Sequence, residues 1–152
     1  MRVIVAAVGK VKDANFAAAI HEYETRAKRY WPLSTLEVRE ESRGSADAVR
    51  AAECKRLLAA VPKGAQLVAC DLTGKQYASD EFAKWLQARR EAAHDVCFLI
   101  GGAFGLTDEV RTKASPLLSL GRMTLPHEMA RLVLMEQLYR AGTILRGEPY
   151  HK

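Results

Sequence analysis

The sequence lacks the residue clusters that hold metal ions or build disulfide frameworks. Its three cysteines, Cys54, Cys70 and Cys97, are odd in number and widely separated, and its four histidines stand singly along the chain. No two of these side chains have the spacing of metal ligands. Single cysteines within apolar segments are typical of reduced core thiols. We therefore expect no metal ion, no disulfide and a cytoplasmic location.

A long hydrophobic run is also missing. The apolar segment near the start, residues 3–8, is far shorter than the ~20 residues that span a bilayer. Polar sequence then resumes, and no cleavage-like region follows it. The segment predicts a β-strand, and we expect neither a signal peptide nor membrane association.

The common glycine-rich nucleotide fingerprints are absent as well. An apolar run at residues 96–100 leads into Gly101, Gly102 and Gly105, but their spacing is G-G-x-x-G rather than G-x-G-x-x-G. The G-x-x-x-x-G-K-[ST] phosphate loop does not occur. Glycines at such a point permit positive φ and close approach of a ligand to the main chain. The cluster indicates either a tight turn or a ligand-binding loop, and speaks against a conventional nicotinamide site.

Length and charge describe a single basic domain. The chain has 152 residues, with 23 Lys and Arg against 18 Asp and Glu, which gives a formal net charge of +5. Residues 1–152 are predicted to form one domain with its own core. The positive charge favours an anionic partner, although a basic protein without such a partner has the same balance.

Apolar runs alternate with segments of helical period. The runs predict strands at residues 3–8, 33–38, 66–72, 96–100 and 117–125. Helices are predicted at 16–30, 46–61 and 79–93, with a short one from Thr107 and a last one from Pro126; Ser45 and Ser79 are the predicted N-caps. This alternation predicts an α/β fold with a mostly parallel sheet flanked by helices.

Three loops that follow predicted strands are candidates for a binding site. They are residues 70–75 ("CDLTGK"), 100–106 ("IGGAFGL") and 120–128 ("LGRMTLPHE"). In an open parallel sheet, ligands bind beyond the carboxyl ends of the strands. The helix after the third loop is apolar over more of its circumference than one core contact requires. It is therefore either a central core helix or part of a subunit interface.

Five motifs are spread over the whole chain. They are "AVGK", "DLTGK", "LIGGAFGL", "MTLPHEMARLVLMEQLYRA" and "RGEPYHK". With these motifs the chain resembles the ribosomal large-subunit RNA methyltransferase H family of the SPOUT superfamily. The resemblance implies a homodimer and a C-terminal deep trefoil knot, an exception to the rule that chains do not thread loops. It also implies that S-adenosyl-L-methionine binds in the knot and methylates N3 of a pseudouridine in 23S rRNA, within assembled ribosomes.

The resemblance also implies the cofactor contacts, which fall in the three candidate loops. They are Cys70, Gly101, Leu120, Gly121, Arg122, Met123, Thr124 and Leu125. Cys70 stands where many relatives have an aliphatic residue, so a main-chain contact is expected there. An adenosyl group needs apolar walls and a few backbone hydrogen bonds, and its sulfonium needs no phosphate cradle. A bulky side chain at Gly101 is expected to block the cofactor before it harms the fold.

Catalysis is expected to depend on His127, Glu136, Arg140, Tyr150 and His151. Methyl transfer needs N3 to lose a proton, and the two histidines and Glu136 are the candidate bases. On one helix His127 and Glu136 point to roughly opposite sides, so a site that combines them requires the second chain of a dimer. Tyr150 and His151 are expected to close over the cofactor and receive the target base. The structural alternative is an exposed Glu136–Arg140 pair and a His127 that bonds a carbonyl group.

Two other functions stay open from the residues alone. A noncatalytic RNA-binding domain of the same fold binds ribosomes without the cofactor, and a flavodoxin-like enzyme binds a nucleotide or a chromophore. If RNA is the partner, affinity falls steeply with salt. The phosphate contacts are then expected from Arg2, Lys10, Lys12, Lys28, Arg29, Arg122 and Arg146.

Overall fold

The computed structural model describes residues 1–152 as alternating strands and helices. The strands are β1 (Val3–Val8), β2 (Leu33–Val38), β3 (Gln66–Gln76), β4 (Val96–Ile100) and β5 (Leu117–Ser119). The helices are α1 (Ala14–Ala27), α2 (Ala46–Ala60), α3 (Ser79–Glu91), α4 (Asp108–Lys113) and α5 (His127–Leu145). The predicted α/β class is confirmed.

The five strands form one sheet in the order β2-β1-β4-β3-β5. Every neighbouring pair is parallel. All residues of β1 and β4 are buried, because these central strands are covered on both faces. This burial explains why their sequences are continuous apolar runs without polar alternation. All strands therefore end at the same edge of the sheet.

Helices cover both faces of the sheet. Val3 and Val5 of β1 face a core cluster shared with α1, α3 and α5. Ile4 and Ala6 face a second cluster, which is shared with α2 and α4. Successive residues of a strand point to opposite faces, so one apolar strand supplies both cores. The longest helix, α5, has 19 residues, and no helix is both long and apolar enough to cross a membrane.

The fifth strand is shorter than predicted. It ends at Ser119 rather than at residue 125. The Ser119 hydroxyl donates to the Gly121 carbonyl at 2.9 Å, and the chain leaves the sheet there. The apolar residues that follow belong to a loop, so their hydrophobicity does not reflect pairing in the sheet.

Of the two serines predicted as helix N-caps, one is confirmed and the other is wrong. Ser45 caps α2 as expected and accepts a backbone N–H of the first turn at 3.2 Å. The prediction that Ser79 caps α3 is wrong. Ala78 is the N-cap residue, and the Glu81 carboxylate accepts its N–H at 2.8 Å. Pro126 takes the N-cap position of α5, one residue before the helix begins.

An irregularity in β3 brings two backbones into direct contact. The pairing of β3 with β5 shifts register between Cys70 and Lys75. Gly74 lies in this stretch, and a Cβ there would come within 2.6 Å of the Leu117 carbonyl carbon and 2.7 Å of that of Leu118. Only a hydrogen atom fits at this position. The contact holds residues 71–74 against β5.

We expect Gly74→Ala to lower the free energy of unfolding by about 1–3 kcal/mol, because the added methyl group must displace the β5 backbone. Thermal unfolding followed by circular dichroism measures the loss. Thr112→Ala, on the exposed surface of α4, is the control and should change stability by less than about 0.5 kcal/mol. A Gly74→Ala protein that unfolds at the wild-type temperature would show that β3 and β5 are not held this closely.

Candidate functional site

A cleft of about 380 Å³ opens at the edge where the strands end. Its walls come from residues 70–73 in the irregular second half of β3, the loops that follow β4 and β5, and the first turn of α5. Ligand sites of open parallel sheets lie at this edge. The volume falls within the range of small-ligand pockets, roughly 300–1,000 Å³. The three segments singled out in the sequence therefore meet at one concave site. The prediction that residues 70–75 form a loop after the third strand is wrong, because β3 continues to Gln76 through an irregular stretch paired with β5.

Most of the residues assigned to the cofactor line this cleft. They are Cys70, Gly101, Leu120, Gly121, Met123, Thr124 and Leu125. Arg122 is exposed and does not line it. From the catalytic set, His127 lines the cleft at the start of α5. The structure brings these residues together, while their contact with a cofactor stays a prediction.

The cleft walls consist mainly of apolar side chains and glycine backbone. Ile100, Leu106 and Leu118 supply apolar surface. Burial raises the pKa of the Cys70 thiol to about 12, and the nearby charge of Asp71 raises it too. The thiol is therefore protonated at neutral pH and is not a nucleophile. Such walls suit an apolar ring system held by main-chain hydrogen bonds.

Gly101 is confined by its own loop. A Cβ at this position would lie 2.9 Å from the Gly105 carbonyl carbon and 3.0 Å from Leu106 Cδ2. The expectation that bulk at position 101 blocks a ligand before it harms the fold is therefore wrong. The first atoms to be displaced are those of the loop, which is already close-packed.

An ion pair in the cleft wall was missed by the sequence prediction. Arg111 of α4 donates through Nε to Asp71 at 2.8 Å and through Nη1 to Asp108 at 3.0 Å. Thr73 donates to Asp71 from its N–H at 2.9 Å and from its hydroxyl at 2.7 Å. Burial acts to raise the pKa of Asp71, but the hydrogen bonds from Thr73 and Arg111 outweigh it and hold that pKa below its usual value. A carboxylate thus stays ionised in the wall.

The first turns of α5 are tied to the ends of β1 and β2. Glu128 accepts the backbone N–H of Lys12 at 2.6 Å, in the loop after β1. Arg131 is buried and donates to Glu37 of β2 at 2.6 Å. These contacts fix the part of α5 that carries His127 into the cleft wall.

The remaining catalytic candidates form a second cluster on the other half of α5. Arg140 donates to Glu136 Oε1 at 2.9 Å through Nε and at 2.5 Å through Nη2. The Tyr150 hydroxyl donates to the same carboxylate oxygen at 3.0 Å, and its ring centroid lies 4.6 Å from that of Tyr139. Arg140 Nη1 lies 3.3 Å from His151 Nδ1. The Glu136–Arg140 pair is largely buried rather than an exposed surface pair.

Tyr150 of this second cluster and Tyr30, whose ring centroid lies 5.8 Å from that of Tyr139, are both hydrogen-bond donors. Burial raises the pKa of Tyr150, and its hydrogen bonds with Tyr23 and Glu136 raise it further. Burial and a hydrogen bond to Glu148 raise the pKa of Tyr30 to about 12. Both phenols therefore stay protonated at neutral pH, which excludes them as bases.

The two groups of catalytic candidates do not meet within one chain. His127 and Glu136 are about 14 Å apart along the axis of α5, given a rise of 1.5 Å per residue. Tyr150 and His151 contact Glu136 and Arg140 rather than the cleft. No group of three or more His, Cys, Asp or Glu side chains converges in the geometry of a metal site.

We expect Asp71→Asn to lower the free energy of unfolding at neutral pH by about 2 kcal/mol, because it removes charge-assisted hydrogen bonds from a buried acceptor. The folded pKa of Asp71 lies below the unfolded one. The stabilisation is therefore complete above the unfolded value of about 4 and is lost as pH falls through the folded value. Denaturant unfolding of wild type and variant should therefore converge as the pH falls through the folded pKa of Asp71.

The control for this experiment is Asp108→Asn. Asp108 also pairs with Arg111, but its side chain is 97% exposed against 8% for Asp71. We expect it to change stability by less than about 1 kcal/mol. A stability difference between wild type and Asp71→Asn that does not vary with pH would contradict the assignment.

Comparison with known proteins agrees with this architecture. The family model for Predicted SPOUT methyltransferase matches residues 1–151. The ribosomal RNA large subunit methyltransferase H of Gemmatimonas aurantiaca is 54% identical over 154 residues and covers 100% of both chains. That of Geobacter sp. strain M21 is 45% identical and covers 99% of both.

Among solved structures, the chain matches that of a probable methylase family protein from Haemophilus influenzae Rd KW20. The TM-score is 0.59 at 14% identity, over 95% of this chain and 66% of the other. This likeness shows the shared fold. The family model and the relatives show more: the chain belongs to the SPOUT methyltransferases, in the ribosomal RNA large subunit methyltransferase H family.

Proposed function

We propose that this protein transfers the methyl group of S-adenosyl-L-methionine to N3 of a pseudouridine in 23S rRNA. The substrate is the assembled ribosome, and the active form is a cytoplasmic homodimer with a C-terminal trefoil knot. The observation that carries the proposal is the cleft, where seven of the eight cofactor positions implied by the family resemblance meet. The relatives are named as methyltransferases of large-subunit ribosomal RNA, and these names support the choice of substrate.

The chemistry of the cleft fits an adenosyl cofactor. Apolar side chains from residues 70–73 of β3 and from the loops after β4 and β5 can pack against adenine, and glycine backbone offers hydrogen bonds to its polar edge. The one arginine of the wall, Arg111, is already bound to Asp71 and Asp108, so no phosphate cradle is present. S-adenosyl-L-methionine needs none, and when bound it supplies an electrophilic methyl group.

Residues of the cleft provide the proton acceptor. The N3 proton of the base must leave before or during methyl transfer, and His127 is the candidate base that lines the cleft. Its neutral imidazole accepts that proton at a ring nitrogen, which contributes ~10²- to 10⁴-fold to the rate. The contacts of Glu128 and Arg131 hold this turn of α5 in place. Positioning of the two reactants supplies the larger share of the rate.

The cluster of Glu136, Arg140, Tyr150 and His151 joins this cleft from a second protomer. Within one chain the cluster is too far along α5 to reach the cleft. Apolar side chains between the two groups, among them Leu132 and Val133, are only partly buried. An isologous dimer packed through α5 covers them and sets each cleft opposite the other chain's cluster. Tyr150 then supplies a donor and an aromatic face for the target base.

Ion pairs on the surface limit which basic residues are available to contact the phosphates of RNA. Four of the seven basic residues expected to bind phosphate, Arg2, Lys12, Lys28 and Arg146, already form ion pairs with carboxylates. Lys10, Arg29 and Arg122 are exposed and form no ion pair. Lys10 follows β1 and Arg122 follows β5, so both lie at the edge that carries the cleft. These two are the strongest candidates for phosphate contacts.

The central test is methyl transfer from labelled S-adenosyl-L-methionine to ribosomes and, separately, to free 23S rRNA. Product nucleosides are identified by mass spectrometry after digestion. We expect N3-methylpseudouridine from ribosomes and much less from free RNA. Binding to ribosomes without cofactor binding and without transfer would instead identify a noncatalytic RNA-binding domain.

A complementation experiment tests the composite site. His127→Asn and a deletion of residues 149–152 should each reduce turnover at least about 100-fold, and the deletion should leave cofactor affinity within a few-fold. Co-expressed chains form mixed dimers in which one of the two sites is intact. Such mixtures should recover about a quarter of the wild-type rate. Failure to recover any activity would show that both groups act within one chain.

A further inference from the structure

A buried carboxylate stands behind the glycine loop of the cleft. Glu53 lies on the inner face of α2, only 4% exposed, next to the buried Cys54 and one turn from the buried Leu57. Apolar residues are the rule on such a face, and burying a carboxylate without full hydrogen bonding is costly. None of the ion pairs of the structure includes Glu53. Packing alone does not explain why a carboxylate is buried on this face of α2.

Half of the hydrogen-bonding capacity of Glu53 is unused. Oε1 accepts the backbone N–H of Glu41 at 3.0 Å. Oε2 is fully buried and has no hydrogen-bond partner. A buried carboxylate oxygen without a partner can accept a hydrogen bond from a donor that arrives in another state of the protein.

The unused oxygen points at the cleft loop. A Cβ at Gly102 would lie 2.5 Å from Glu53 Oε2 and 3.2 Å from Val8 Cγ1, so only glycine fits in front of the carboxylate. The adjoining Cys54 accepts the N–H of Thr107 at 3.3 Å. The face of α2 therefore supports both ends of the loop from behind, while the front of the loop lines the cleft.

The same loop has unused donors. Ala103 and Phe104 follow Gly102 directly and are exposed, and their backbone N–H groups donate to no acceptor in the protein. Gly102 and Gly105 close the turn around them, with the Gly105 N–H donating to the Gly102 carbonyl at 3.0 Å. A free buried acceptor and two free donors thus lie on neighbouring parts of one short turn.

We propose that Glu53 is a positioning residue for methyl transfer: when the cleft is occupied, its Oε2 accepts a backbone N–H of the 102–104 turn. This hydrogen bond fixes the glycine loop against the cofactor. Glu53 acts through the loop and does not touch the ligand. The inference rests on the proposed function, because it takes S-adenosyl-L-methionine as the ligand of the cleft.

The substitution Glu53→Gln removes the free acceptor while keeping the size and shape of the side chain. Its amide oxygen must face the Glu41 N–H, so its NH₂ group stands where Oε2 was and cannot accept a hydrogen bond. We expect about tenfold weaker binding in calorimetry for S-adenosyl-L-methionine and equally weaker binding for S-adenosyl-L-homocysteine, which lacks the sulfonium charge. The Tm of the ligand-free protein should stay unchanged or rise, because a half-satisfied buried charge has been removed.

The control is Asp47→Asn, the same carboxyl-to-amide change on the same helix at a side chain that is 85% exposed. We expect wild-type affinity and Tm from it. Three results would overturn the proposal: Glu53→Gln binds both ligands as the wild type does, its affinity and Tm fall together, or only the charged ligand is weakened. The last would identify long-range attraction of the sulfonium instead.

A second pair of variants makes the test independent of how well Glu53→Gln folds. Gly102→Ala should weaken cofactor binding strongly in the wild type and less in a Glu53→Asp background, where the shorter side chain leaves room for the methyl group. Equal losses in both backgrounds would count against the contact. If the wild type binds neither nucleoside, the proposed function fails and the assignment of Glu53 falls with it. If the wild type binds and Glu53→Gln matches it, only the assignment fails.

Discussion

Parallel pairing of β3 with β4 on one side and β5 on the other is the constraint on which the rest of this structure depends. It brings the second half of β3 and the loops after β4 and β5 to one edge, so three distant parts of the chain share a cleft. The pairing with β5 tolerates an irregular stretch at residues 71–74 only because Gly74 has no side chain. That stretch becomes a wall of the cleft rather than a continuation of regular strand. The first turn of α5 then completes the wall with His127.

Three buried or half-buried carboxylates have different roles around the cleft and α5. Asp71 is fully bonded by Thr73 and Arg111 and keeps one wall in shape. Glu136 is shared by Arg140 and Tyr150, which docks the C-terminal segment onto α5. Glu53 retains an unused oxygen behind the glycine loop. The first two stabilise parts of the site that do not need to move, and the third is suited to a part that does.

The fold was largely predictable from the sequence because its signals are local. The central strands are uninterrupted apolar runs, and their observed bounds equal the predicted ones. The fifth strand was predicted too long because apolar residues that face a ligand cleft, such as Leu120 and Leu125, look the same in sequence as residues that face a core. The hydrophobic pattern of a sequence predicts which residues are apolar and buried, but it does not distinguish a residue of the core from one that lines a cleft.

The site was predictable only in part. Parallel topology indicated this edge of the sheet, and the family resemblance implied eight cofactor positions, seven of which line the cleft. The Asp71–Arg111 pair joins residues that are 40 positions apart, and the Tyr150 contact with Glu136 joins residues 14 apart. The first pair forms because α4 packs near β3, and the second forms because the C-terminal segment folds back onto α5. The sequence analysis did not single out Glu53, since nothing local marks it as buried.

The glycines of the cleft have a consequence for any compound that competes for it. At Gly101 and Gly102 an added methyl group meets atoms that are already in place. Backbone at these positions therefore offers a compound a surface that single mutations cannot reshape without damage to the protein. Leu72 and Met123, at the rim of the cleft, are 51% and 80% exposed, so a substitution there meets few packed atoms. Drug resistance would have to arise at that rim, from side chains that a compound resting on the glycine backbone need not touch.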